Sequence, residues 1–331
     1  MSVRGGIDLG GTKIQAVLVD GRNEVIGQAR HPTPREGGPQ AVADELAAAL
    51  SEAAEVAGVP AGELAGVGIG SPGEIDAATG TVSQARNLPG WEGSFALGPA
   101  LSQALGVERV RLGNDVTVAT NAEFVLGAGA PYQSLLGVFW GTGVGGGLVI
   151  DGKVWDGRGS AGEIGHMVVK RGGAQCPCGR RGCMEAYAGR AAMETRAREL
   201  QAQGRKTELF TIMEHRGRER LTSGIWERAL KKDDVLALEL VERAIGALGT
   251  AIASACNLLD VEAVVIGGGL GIRLGPGYLD AIQREIDEHL FTIEHPPDVQ
   301  IAQLGDLGGA IGAALLAASP NGSVTERSTS R

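Results

Sequence analysis

The chain has 331 residues, 43% of them hydrophobic and 21% charged, with a formal net charge of −9. That length allows two domains, each with its own core, and the acidic balance excludes a broad surface for nucleic acid or anionic lipid. No run approaches the roughly 20 apolar residues that span a bilayer, and Met1-Ser2-Val3-Arg4 leads straight into Gly5-Gly6-Ile7-Asp8 without an apolar leader, so a cytoplasmic protein without membrane or nucleic-acid partners is expected.

Residues 5–19 read as a strand, a glycine turn at Gly10-Gly11 and a second strand, followed by the tight turn Asp20-Gly21-Arg22-Asn23 and a third strand over 24–29. An alanine-rich helix is expected at 38–57, stopped by Gly58, then a buried strand at 64–70, a helix at 94–105, a strand at 107–112 and a helix at 115–126. The pattern then restarts with a strand at 135–140, a glycine turn over 141–147, a strand at 148–150 and a turn at Asp151-Gly152. Long helices are expected near 185–203 and 233–258, a strand at 263–266, a turn at Gly267-Gly268-Gly269, and helices near 277–289 and 308–318. Residues 204–232 are locally basic without a period and read as surface connection with short helices; the polar residues from Pro320 onward are expected to be disordered. Both halves thus open on strand, glycine turn, strand.

Glycines between two strands let backbone N–H groups approach a phosphate, and in Asp8-Leu9-Gly10-Gly11-Thr12-Lys13 a hydroxyl and a cation follow them. Asp8, at its strand end, suits a water-mediated contact to phosphate-bound Mg²⁺. Gly141-Thr142-Gly143-Val144-Gly145-Gly146-Gly147 formally satisfies G-x-G-x-x-G, but a strand and not a helix follows, which argues for a second phosphate hairpin over a dinucleotide fingerprint. The two hairpins are expected to face each other across a cleft. Gly267, Gly268 and Gly269 follow an apolar strand and read either as a tight turn or as bare backbone beneath an adenosine group. Asp115, in Leu112-Gly113-Asn114-Asp115, sits where a strand gives way to a helix, and reads as an N-cap or as a general base. Finally, His166 precedes Cys176, Cys178 and Cys183 with glycines at 179 and 182. Three thiolates and one imidazole form a closed structural zinc set, whereas a disulfide would leave one cysteine unpaired.

Taken together, these residues resemble the ROK family of repressors and sugar kinases, from Asp8 to about Leu316. The most specific part is Glu163-x-x-His166 followed by Cys176-x-Cys178-x-x-x-x-Cys183-x-Glu185. The resemblance implies an α/β, two-domain actin/hexokinase/Hsp70-like (ribonuclease H-like) fold with a cleft between the domains. It also implies ATP-dependent phosphorylation of a hexose at the 6-hydroxyl, glucose foremost. By resemblance, Asp115 is the general base, and Gly73, Asn87, Asn114, Glu163, His166 and Glu185 join it around the sugar. Asp8, Gly10, Gly11, Thr12, Lys13, Thr142, Gly143, Val144, Gly145, Gly267, Gly268 and Gly269 serve ATP and Mg²⁺. His166, Cys176, Cys178 and Cys183 hold Zn²⁺, with the second His166 nitrogen turned to the sugar.

The expected domains are residues 1–113 with 308–319, and 114–307, the second inserted into the first, with a tail at 320–331. A homodimer or homotetramer is expected from the family. The competing readings are an N-acetylhexosamine kinase, a polyphosphate-using glucokinase, and a sugar-responsive regulator. The regulator needs an N-terminal winged helix-turn-helix, for which the turn at residue 8 leaves no room.

Overall fold

A computed structural model of the chain describes residues 2–318 apart from Arg86, Asn87, Pro89 and Ile293; Asn87 and the tail at 320–331 lie outside the described residues. The backbone groups into two units. The first comprises residues up to Ala130, Leu148–Ala161 and the residues from Gln303; the second comprises Pro131–Gly147 and Gly162–Ala302.

In the first unit, β1 (Arg4–Leu9), β2 (Lys13–Val19) and β3 (Val25–Pro32) form an antiparallel meander, followed by α1 (Gly38–Ala57) and β4 (Val67–Ser71). Three short strands, β5 (Glu74–Asp76), β6 (Thr81–Ser83) and β7 (Ser94–Phe95), make a small separate sheet. After them come α2 (Leu97–Leu105), β8 (Val110–Asn114) and α3 (Asp115–Leu126). The main sheet has the order β3-β2-β1-β4-β8, with β1, β4 and β8 parallel.

The period-2 alternation of β2 divides its side chains between two cores. Ile14, Ala16 and Leu18 join Leu46, Leu50 and Ala53 of α1, while Val17 and Val19 join Ala310, Ile311 and Ala314 of the C-terminal helix Gly308–Ala318. That small-residue helix rests directly on the sheet backbone. A Cβ on Gly6 would lie 2.0 Å from the Ala310 carbonyl oxygen, and one on Gly68 would lie 1.8 Å from that of Ala313.

Helix α3, expected in the second domain, groups with the first unit, and the reason is local. Gly312 lets the C-terminal helix abut α3 so closely that a Cβ there would sit 2.0 Å from the Val118 carbonyl oxygen. Glu123, 1% exposed, fixes the approach to that helix by accepting from the Gln303 and Leu304 N–H groups at 3.0 and 2.8 Å.

The second sheet has the order β11-β10-β9-β12-β13, built from β9 (Leu135–Trp140), β10 (Val144–Ile150), β11 (Lys153–Val154), β12 (Ala263–Gly267) and β13 (Asp298–Ile301). β12 runs parallel to both β9 and β13. The two sheets share one strand order, so the duplication suggested by sequence is one of topology.

The helices are α4 (Glu185–Ala188), α5 (Arg190–Ala202), α6 (Leu209–His215), α7 (Ser223–Leu230), α8 (Val235–Leu259) and α9 (Gly268–Asp287). α9 begins nine residues before the expected 277. Its glycines and Pro276 look like breakers, yet Gly271 and Gly275 thin the face that meets the sheet: a Cβ on Gly275 would lie 2.5 Å from Ile301 Cδ1. No helix among the described residues is long and apolar enough to cross a membrane.

Candidate functional site

Strand register gathers the first group of candidate residues. Asp8 pairs in register with Gly70, Gly70 with Gly113, and Ser71 with Asn114. The residues ending β1, β4 and β8 therefore share one edge, the C-terminal edge of the three parallel strands, where open α/β sheets collect ligands. The hairpin between β1 and β2 closes through Gly10 N–H to the Lys13 carbonyl at 2.9 Å, leaving Gly11 and Thr12 exposed. Gly73 has φ 97°, and a Cβ there would sit 2.5 Å from the Ser83 carbonyl oxygen, so only glycine fits.

At the same edge Asn114, not Asp115, caps α3. Its Oδ1 accepts from the Val116 and Thr117 N–H groups at 3.0 and 3.1 Å, which satisfies amides that a helix start leaves open. Asp115 is thereby the first helical residue, and its Oδ1 accepts from Val116 N–H at 3.0 Å.

Asp8 abuts the start of the C-terminal helix; a Cβ on Gly309 would lie 2.8 Å from its carboxyl carbon. Burial pushes the Asp8 carboxyl up to about 6; the Lys13 ammonium pulls against that rise and the Asp306 carboxylate adds to it. Lys13 Nζ is 3.7 Å from Asp306 Oδ1, and Arg30 Nη1 is 3.9 Å from Asp306 Oδ2.

In the second unit the turn after β9 is shorter than expected. It spans Gly141 to Gly143, closed by Gly141 N–H to the Gly143 carbonyl at 2.9 Å, and β10 resumes at Val144. Gly145, Gly146 and Gly147 therefore lie within a strand. A Cβ on Gly146 would meet the Gly162 carbonyl oxygen at 2.6 Å, and one on Gly165 the Val144 carbonyl oxygen at 1.9 Å. The bare strand thus lets the segment carrying Glu163 and His166 lie against it. Register places Gly267 opposite Phe139, so the second turn shares the strand end of the first. Gly268, the first residue of α9, has φ 79°, and a Cβ there would lie 2.6 Å from the Trp140 carbonyl oxygen; Gly269 follows it in the helix.

Glu185 links two groups that the sequence reading kept apart. Its Oε2 accepts from Val144 N–H at 2.9 Å, and its Oε1 lies 3.8 Å from Cys176 Sγ. The Val144 amide, counted as a phosphate donor, is therefore already engaged. One ring nitrogen of His166 and the thiols of Cys176, Cys178 and Cys183 all lie within 4.8 Å of one another. Cys178 Sγ to Cys183 Sγ and Cys176 Sγ to His166 Nδ1 are both 3.8 Å, and all four cysteines of the chain are free thiols. A tetrahedral ion with bonds of about 2.3 Å to sulfur separates its sulfurs by about 3.8 Å, so the set fits a four-coordinate metal. His166 Nε2 faces Glu163 Oε2 at 3.9 Å, on the side of the ring away from the thiols. Gly179 and Gly182 adopt φ 89° and 86°, which lets the loop close.

The ROK family model matches residues 4–319. The chain belongs to the ROK family. Among the relatives of this ROK chain, the glucokinase of Halalkalibacterium halodurans is 33% identical over 310 residues, spanning 93% of this chain and 92% of that protein. The N-acetyl-D-glucosamine kinase of Yersinia pseudotuberculosis is 32% identical and spans 94% and 97%. A solved ROK family glucokinase from Streptomyces griseus, in complex with glucose and AMPPNP, matches with a TM-score of 0.81 at 30% identity over 96% of this chain and 99% of that one. The fold of the ROK chain is thus the actin/hexokinase-like α/β fold.

Two residues of the ROK chain beside these turns escaped the sequence reading. Asp306 precedes the C-terminal helix and pairs with Lys13; its signal was an acidic residue ahead of a glycine-rich helix start, weak without the fold. Arg190 donates to Thr142 Oγ1 at 2.7 Å, across 48 residues, and no local pattern announces such a contact.

Proposed function

We propose that this ROK protein transfers the γ-phosphoryl group of ATP to the 6-hydroxyl of a hexose, glucose foremost. In this reading the sugar oxygen attacks the γ-phosphorus, its proton passes to an Asp115 carboxylate oxygen, and the bond to the β,γ-bridging oxygen breaks to release ADP. Asn114 keeps its amide N–H groups for a sugar hydroxyl, because capping uses only its oxygen. Glu163, His166 Nε2 and Glu185 are assigned further acceptor and donor roles toward the sugar, and Gly73 and Asn87 are assigned to it as well. Residues 10–13, Thr142 and Gly143 and the turn at Gly267, Gly268 and Gly269 hold the nucleotide, and Asp8 serves the Mg²⁺ that neutralises phosphate charge. The donor set of His166, Cys176, Cys178 and Cys183 is assigned to a structural zinc ion, since all four positions are filled by protein ligands.

The observation that carries this reading is the register that sets Asp8, Ser71 and Asn114 at one sheet edge, with Asp115 directly after. Specificity is tested by measuring kcat/KM with ATP for glucose, N-acetylglucosamine, N-acetylmannosamine, mannose and fructose. Glucose is expected to lead. The near-equal identity to the N-acetyl-D-glucosamine kinase favours a second reading, an N-acetylhexosamine kinase, which a lead for either acetylated sugar would establish instead.

Asp8 adds a pH dependence. Its folded-state value lies above its ordinary 3.8, at about 6, so ionising it costs stability as pH rises through that window. Only the ionised form serves Mg²⁺. kcat/KM for MgATP is therefore expected to fall as pH drops below about 6, and Asp8→Asn is expected to erase that limb along with most of the activity. An unchanged acidic limb in the variant would assign the titration to another group.

A further inference from the structure

The start of α5 holds two of the carbonyls in the turn of residues 141–143. Arg190 N–H donates to the Gly141 carbonyl at 3.1 Å and Ala191 N–H to the Thr142 carbonyl at 3.0 Å. The Gly143 carbonyl accepts from Gly141 N–H, so every carbonyl from 141 to 143 is occupied. Among the described residues no backbone acceptor pairs with the N–H groups of Thr142 and Gly143, which makes the turn a patch of donors.

The side chain of Arg190 extends the same logic. Its Nη2 donates to Thr142 Oγ1 at 2.7 Å and its Nη1 to the Leu221 carbonyl at 2.7 Å. A guanidinium only donates, so the Thr142 hydroxyl must accept from it, and its own O–H proton is then directed to a different partner. A phosphate oxygen is a pure acceptor and matches that arrangement. Burial pulls the Arg190 guanidinium below its ordinary value, with Glu194 opposing and Arg220 adding to the fall.

Arg190 also reaches the segment that leads to α7. The Leu221 N–H donates to Glu194 Oε2 at 2.9 Å, so this peptide is pinned by α5 on both sides. Two residues later α7 begins at Ser223, whose Oγ would lie 3.8 Å from a Cβ on Gly269. One side chain thus ties the turn after β9 to the segment that flanks the turn before α9.

We infer that Arg190 is a positioning residue for the nucleotide, fixing the Thr142 hydroxyl as a donor to a phosphate oxygen and tying the turn after β9 to the segment that leads to α7. This inference rests on the proposed ATP-dependent sugar phosphorylation. Kinetics of Arg190→Met, Arg190→Lys, Thr142→Val and the Arg190→Met/Thr142→Val double variant test it, with thermal unfolding midpoints recorded for each. Arg190→Met is expected to raise KM for ATP by about tenfold, the weight of one charge-assisted hydrogen bond, with KM for the sugar held within about twofold. Arg190→Lys is expected to recover most of the loss, because an ammonium still donates to Thr142. The double variant is expected to bind ATP no worse than the poorer single variant, since both break one interaction.

An unchanged KM for ATP in an active Arg190→Met enzyme, a parallel rise in KM for the sugar, or additive losses in the double variant would each overturn the inference alone. If Arg190→Met does not fold, Thr142→Val decides the matter: a selective rise in KM for ATP supports the inference, and an unchanged KM for ATP or a parallel rise in KM for the sugar overturns it. A wild-type protein that phosphorylates no sugar would overturn the proposed function and this inference with it.

Discussion

Asp115→Asn is expected to lower turnover by about 10²–10⁴ while sugar binding and folding persist. The separation follows from the division of labour at the start of α3. Asn114 makes the cap through Val116 and Thr117, so the helix does not depend on residue 115 for its first turn. Asparagine keeps the shape of the side chain and an acceptor for Val116 N–H, the contact Asp115 makes at 3.0 Å. Losing the negative charge at a helix N-terminus costs only about 0.3–1 kcal/mol. What asparagine lacks is a basic oxygen to take the proton from the attacking hydroxyl. Coupled measurement of ADP release gives turnover, and calorimetry gives sugar affinity. Turnover within about threefold of wild type would remove Asp115 from the chemistry.

Cys178→Ser is expected to release the bound metal and lower the thermal midpoint. Losing a direct ligand should cost more than the roughly 10–100-fold in affinity that an outer partner costs, because a serine hydroxyl is a poor ligand for zinc. The loop from 167 to 184 has little regular structure of its own beyond the isolated bridges Val168 to Cys183 and Gln175 to Arg181. In the zinc reading its order depends on the four ligands, because metal-binding energy in such a loop is folding energy. The disturbance should travel, since Glu185 sits two residues past Cys183 and holds the Val144 N–H. Metal content by elemental mass spectrometry and a thermal melt check this. Full occupancy with an unchanged midpoint would contradict the four-ligand site.

Elements with strong local signals were legible before any coordinates. α1 (Gly38–Ala57) matches its expected limits because its apolar spacing is regular and Gly58 stops it with φ 68°. The metal loop was legible for the same reason: ligand spacing is a local property of the chain. α9 was misjudged at its start because Gly271 and Gly275 are there for long-range packing against Ile266 and Ile301, which overrides their low helix propensity. β5, β6 and β7 are two or three residues each, too short to show alternation. β13 is four residues long and is ordered by its parallel pairing with β12.

In the site, the turns and Asp115 carry sequence signatures, but the links between them do not. Glu185 to Val144 and Arg190 to Thr142 cross 41 and 48 residues, and only a folded chain reveals them. The same holds for the exchange of roles at 114 and 115, where either residue could have been the cap and the backbone decides.

The most direct test of the kinase reading is to incubate the purified protein with MgATP and glucose and identify the product by ³¹P and ¹³C NMR. A single new phosphate monoester on carbon 6, formed with an equal amount of ADP and dependent on the sugar, is the expected result. ADP release that ignores the sugar, or no ester on glucose or any other hexose, would contradict it.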